Sequence, residues 1–170
     1  TPSGKYFASV LVDTDLQELP VTPVNENTTL GIDLGIKTLA VCSDGRTFDN
    51  PKNLQKSIDR LKLLQKRLSR KKKGSSNRNK ARIKVARLHE YIANCRRDNL
   101  HKVTYALTHD NQVRTICMED LNVKGMMSNH HLAQAVGDAS FGMFLTMLEY
   151  KCKWYGINLI KIDRFVPSSK

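Results

Sequence analysis

The 170-residue sequence predicts an α/β fold, a mixed sheet with one long basic antiparallel helical hairpin inserted after its first three strands. Three observations predict it. Short β-branched runs flank an Asp44-Gly45 turn, two long apolar stripes of helical period follow, and the last third alternates strand, helix and strand.

Taken in order, Lys5–Asp13 (KYFASVLVD) is aromatic and β-branched and reads as a strand. Residues 14–29 contain Pro20 and Pro23 and no periodicity, which marks a linker. Leu30–Ile36 (LGIDLGI) is a short buried strand, Thr38–Ser43 a second, and Asp44-Gly45 a hairpin turn leading into the return strand Arg46–Phe48. Asn50 is placed to cap a helix with Pro51 at its first position. Leu54, Ile58, Leu61, Leu64 and Leu68 then form one helical stripe, which stops at the polar stretch 71–77. Ala81, Val85, Leu88, Ile92 and Cys95 form a second stripe that runs on through Val103 and Leu107. The two helices make an antiparallel hairpin over residues 51–110. Val113–Met118 is a strand closed by Glu119-Asp120, and Asn122–His131 reads as a loop. A helix from about Asp138 sets Phe141, Leu145, Leu148, Cys152 and Tyr155 on one face and ends at Gly156; Ile157–Asp163 is the last strand. That order is α/β of the RNase H type, its later strands added parallel to the first through helical crossovers.

Charge supplies the first functional clue. Of a net +12, residues 51–102 carry eighteen Lys and Arg against three Asp and Glu, a local +15 that leaves −3 for the rest. A face kept only for solubility would mix the two signs as Glu–Lys pairs. So concentrated a charge points to a polyanion, with Lys66, Arg67, Arg70, Lys71, Lys72, Lys73, Arg78, Lys80 and Arg82 as the expected phosphate contacts. No apolar run approaches the roughly 20 residues of a membrane span, and no signal-peptide pattern opens the chain. Thr1-Pro2-Ser3-Gly4, without an initiator Met, reads as an internal boundary. Cys42, Cys95, Cys117 and Cys152 are scattered in apolar stretches with no Cys-x-x-Cys pair, as reduced core thiols in a cytoplasmic protein would be. His89, His101 and His109 have no paired ligand and read as packing or surface residues, and His130-His131 lies in a loop. Trp154-Tyr155 reads as core packing.

Two acids carry the candidate chemistry. Asp33 sits in an apolar strand between Gly31 and Gly35, where a buried carboxylate needs a partner and the glycines leave room for one to approach. Glu119 closes another apolar strand. Parallel neighbouring strands would bring both acids to the same end of the sheet, where ligands bind in such folds. Oxygen-only ligands select Mg²⁺ or Mn²⁺ over Zn²⁺, and a pair of such ions suits displacement at a phosphodiester. Singly, either acid is as well explained as a structural residue; together, beside a phosphate-binding hairpin, they read as a metal site.

Five blocks in order, GIDLGIKTLAVCSDG, LQKRLSRKKKGSSNRNKARIKVARLHEYIANCRRDNLHK, MEDLNVKGM, FGMFLTMLEYKCKWYG and IDRFVPSSK, resemble the TnpB/OrfB family of insertion-sequence proteins. The likeness covers nearly everything from Lys5 to Lys170. Type V CRISPR effectors are relatives that share the nuclease core. The resemblance implies an RNase H-like (RuvC) site whose first two acids, catalytic and metal-binding, are Asp33 and Glu119. It further implies DNA and a guide RNA as partners, Mg²⁺ or Mn²⁺ as cofactor, no small-molecule substrate, and a prokaryotic cytoplasmic setting. Residues 1–13 become the terminal strand of a preceding barrel-type lobe, 14–29 a linker, and 30–170 the nuclease domain. In the family the PSSK segment leads into a zinc ribbon, with the third catalytic Asp beyond it. Neither follows Lys170, so these 170 residues alone are expected to be inactive, with zinc confined to that missing ribbon. Asp163 belongs to the IDRF block and is expected to be structural.

Rival classes are separable. GIDLG also opens the phosphate hairpin of actin-like and sugar-kinase ATPases, but Ile36-Lys37-Thr38-Leu39 lacks their small hydroxyl residues and no second phosphate loop follows. A non-cleaving guide-directed regulator would have no need of both acids, although the absence of the third acid fits it. A plain basic hairpin module would need neither.

Overall fold

The computed structural model describes residues 1–13, 19–20, 22–110 and 112–163. Its strands are β1 (Thr29–Leu34), β2 (Thr38–Cys42), β3 (Thr47–Asp49), β4 (Thr115–Glu119) and β5 (Asn158–Ile162). They form one sheet in the order β3-β2-β1-β4-β5. The first three meander antiparallel, while β4 pairs parallel to β1 and β5 parallel to β4. Helices α1 (Asn53–Ser69) and α2 (Ser76–Thr108) lie between β3 and β4; α3 (Val123–Ser128), α4 (Ala133–Ala139) and α5 (Phe141–Tyr155) lie between β4 and β5.

The chain divides into two units, Thr1–Asp15 with Lys52–Arg97, and Leu16–Pro51 with Asp98–Lys170. In the first, the stripes of α1 and α2 meet around buried Leu61, Leu88 and Ile92, with Leu54, Leu64 and Val85 against them. Lys66 and Arg67 in the last turn of α1 complement its dipole. Gly74, at φ +81°, turns the chain, and Ser75 Oγ accepts from the Arg78 N–H at 3.2 Å to cap the start of α2. The opening residues are tied to α2, through the Lys5–Glu90 ion pair at 3.2 Å and a bond from Arg87 Nε to the Ser3 carbonyl.

In the second unit the core lies on one sheet face. Leu30, Ile32, Ala40, Cys42, Ile116 and Met118 meet Leu100, Val103 and Leu107 of α2 and Phe141, Phe144 and Leu148 of α5. Thr104 and Thr108 are buried there because each hydroxyl donates to a carbonyl one turn back, of Leu100 (2.7 Å) and Thr104 (2.8 Å). Gly156 ends α5 at φ +63° as expected; a Cβ there would stand 2.8 Å from Leu19 Cβ.

Several expectations need correction. Lys5–Asp13 forms no strand, since a strand exists by its ladder and the sheet contains only β1 to β5; Tyr6, Phe7 and Leu11 stay exposed. The first helix starts at Asn53 behind a left-handed Lys52, and not at Asn50–Pro51; the Asn50 side-chain N–H donates to the Ile36 carbonyl at 2.8 Å. Asn122–His131 is not all loop: Asn122 accepts from the Gly125 N–H and caps α3. The expected helix from Asp138 is two helices, broken at Ser140, whose φ of 56° cannot continue either. Trp154 and Tyr155 are exposed, beyond the last buried row of α5; their rings lie edge-on to Tyr150 and His109. Parts of the expected linker (14–18 and 21), Asn111, and the segment 164–170 holding Pro167-Ser168-Ser169-Lys170 lie outside the described residues.

Candidate functional site

The acids are positioned by strand register. β1 and β4 pair Thr29 with Thr115, Leu30 with Ile116, Gly31 with Cys117 and Ile32 with Met118. Asp33 and Glu119 are the next residues along the two strands. Partners in a parallel register project to the same face. Leu30, Ile32, Ile116 and Met118 take the core face, so alternation sends Asp33 and Glu119 to the other. Val41, opposite Asp33, and Ile162, opposite Glu119, share that face, and all four residues are exposed.

Asp33 is therefore not the buried carboxylate that its apolar neighbours suggested; period 2 puts it in solvent, and no desolvation has to be offset. Among the described residues neither acid accepts a side-chain hydrogen bond or joins an ion pair. The flanking glycines serve the chain itself. A Cβ on Gly35 would meet the Thr38 carbonyl at 2.8 Å, and one on Gly31 would meet Ser43, whose hydroxyl accepts from the Gly31 N–H. No three His, Cys, Asp or Glu side chains among the described residues gather closely enough to hold a metal. Two solvent-facing carboxylates with no competing cation suit part of a hard-ion ligand set and not the whole of one.

All but one of the hairpin cations named as candidate phosphate contacts are exposed. Lys66, Arg67, Arg70, Lys71, Lys72, Lys73, Lys80 and Arg82 are exposed. Arg78 is half-buried, and its guanidinium donates to the carbonyls of Leu68 (3.1 Å) and Lys71 (2.9 Å), closing the C-terminal end of α1. Its spacing from the other basic residues gives no sign of this. His109 is a packing residue, stacked on Tyr105 with ring centroids 3.4 Å apart. No helix among the described residues is long and apolar enough to cross a membrane.

Residues 9–130 match the OrfB_IS605 family, described as a probable transposase. The chain belongs to this family. Residues 141–170 also match the Cas12f1-like TNB domain. Among OrfB relatives, a Streptomyces pristinaespiralis protein named "Putative RNA-guided DNA endonuclease" is 44% identical over 168 residues, 99% of this chain and 40% of its own length. InsQ of Escherichia coli K12, with the same description, is 40% identical over 72% of this chain and 29% of its own length. The chain thus spans well under half of these relatives. Its fold is similar to a CRISPR-Cas12f ternary complex chain (TM-score 0.58, 20% identity, 93% of this chain, 31% of that one). A Cas12f1-sgRNA-target DNA complex chain gives a TM-score of 0.54 at 17% identity, over 85% of this chain and 38% of that one.

Proposed function

We propose that this chain is the nuclease core of an RNA-guided DNA endonuclease, built on an RNase H-like (RuvC) sheet with the basic hairpin α1–α2 as its phosphate-binding insertion. The observation that carries it is the β1–β4 register, whose last pair, Ile32 with Met118, directly precedes Asp33 and Glu119, both of them exposed. The strand order, a three-stranded meander extended by two parallel strands, and the relatives' description support it.

In this assignment Asp33 and Glu119 are the catalytic, metal-binding acids and would hold Mg²⁺ or Mn²⁺. Such ions, when bound, stabilise charge on the attacking and leaving oxygens of a phosphodiester. The exposed cations of the hairpin hold the nucleic-acid backbone by charge, without reading bases. Two carboxylates supply two negative charges against about four on an ion pair, so a further acid is required and these 170 residues alone bind divalent ions weakly and do not cleave.

The test is cleavage of a labelled target by the full-length protein with its guide RNA and Mg²⁺, against its Asp33→Ala variant. Loss of cleavage with guide-directed binding retained is expected. Equal cleavage by both would overturn the catalytic role of Asp33, and cleavage by neither would mark a binding regulator.

A further inference from the structure

Along the helices, α1 and α2 flank a groove of about 580 Å³ lined by Arg60, Leu64, Lys84, Arg87, Leu88 and Tyr91. Its size falls in the roughly 300–1,000 Å³ range of ligand pockets. Three lining residues are cationic and none is acidic, a wall that suits a negatively charged ligand. Leu64 and Leu88 make part of its wall apolar, which a free phosphate does not need.

Tyr91 decides between ligands. Its ring is 61% exposed, while Val85, Leu88 and Ile92 of the same helix pack inward, so it does not fill the core. An exposed aromatic face flanked by guanidinium groups accepts a flat, electron-rich partner by stacking. Bases in a duplex are already stacked and do not offer that face, whereas an unpaired strand does.

We propose that this groove binds single-stranded nucleic acid, one base stacking on Tyr91 while Arg60, Lys84 and Arg87 hold the adjoining phosphates. This deepens, and rests on, the assignment of α1–α2 as a nucleic-acid-binding hairpin. The site differs from the lysine-rich turn in kind: it prefers an unpaired strand, which charge alone does not.

The test uses this chain, its Tyr91→Ala and Tyr91→Phe variants, and single-stranded DNA, single-stranded RNA and duplex DNA probes carrying 2-aminopurine. Tyr91→Ala should weaken single-strand binding by about 5- to 100-fold, the range of a base–aromatic stack, and abolish the 2-aminopurine quench. Tyr91→Phe should preserve both, and duplex affinity should be unchanged in all three proteins. A larger effect on the RNA or the DNA probe identifies which strand the groove takes. An unchanged single-strand affinity in Tyr91→Ala, or an equal loss on duplex, would overturn the stacking site and leave the hairpin assignment intact. Failure of the parent chain to bind any probe would overturn both.

Discussion

The ammonium of Lys151 is buried against α2, donating to Thr104 Oγ1 at 2.8 Å and to the His101 carbonyl at 2.9 Å. Burial lowers its pKa from the usual 10.5. With the folded value below the unfolded one, the unfolded state binds more proton, so stability rises as pH climbs from the lowered value toward 10.5. Thr104 keeps its bond to Leu100 without Lys151, and the His101 carbonyl lies inside a continuous helix. Lys151→Met should therefore leave stability within about 1 kcal/mol of the parent or raise it, and should flatten the alkaline rise. Urea titrations between pH 7 and 10 would show this; a large loss at pH 7 with the pH dependence retained would contradict it.

Gly156→Ala should cost about 1–3 kcal/mol, from the left-handed backbone together with the approach of Leu19 Cβ. Gly45 is also left-handed, at φ +87°, but has open space around it, so Gly45→Ala should cost less. Equal losses in thermal melts would mean that the Leu19 contact relaxes freely.

Thiol reactivity should rank by burial. Cys152 is buried and its pKa is pushed up to about 12, so it should resist alkylation at pH 8 until the chain unfolds. Cys42 should also be slow, and half-buried Cys95 and Cys117 faster. Peptide mapping after brief iodoacetamide treatment checks the order, and early labelling of Cys152 would refute it.

Replacing Lys71, Lys72 and Lys73 by Ala should reduce the slope of log affinity against log salt on duplex DNA by up to about 2.7, at roughly 0.9 per phosphate. Arg78→Ala should behave differently, because its guanidinium is committed to the carbonyls of Leu68 and Lys71. It should lower helical stability and change the slope little. A slope indifferent to the triple substitution would return the turn to an ordinary solvated surface.

What could be read from the sequence was what is local and periodic. The stripes of α1 and α2, the Asp44-Gly45 turn and the stop at Gly156 each declare themselves within a few residues. Boundaries set by tertiary contacts did not. Nothing near Asn50 says that its amide would go to Ile36, and nothing in Phe141–Tyr155 separates Lys151 from the exposed Lys153 two residues on. The stripe assigned to α5 was also too narrow, since Phe144 and Met147 are buried alongside Phe141 and Leu148. For the candidate site, the strand positions of Asp33 and Glu119 were legible and their exposure was not. An apolar strand names the residues of both faces without saying which face is covered.

The β1–β4 pairing joins Thr29 to Thr115, far apart along the chain, with α1 and α2 between them. Closing so long a loop from a disordered chain is entropically costly and slow. Contacts such as Leu61 with Leu88 are nearer in sequence, so the helical pair should form first and shorten the effective loop before the parallel strands meet. The face bearing Asp33 and Glu119 is thus among the last parts of the molecule to come into being, and its backbone amides should gain hydrogen-exchange protection after those of the hairpin.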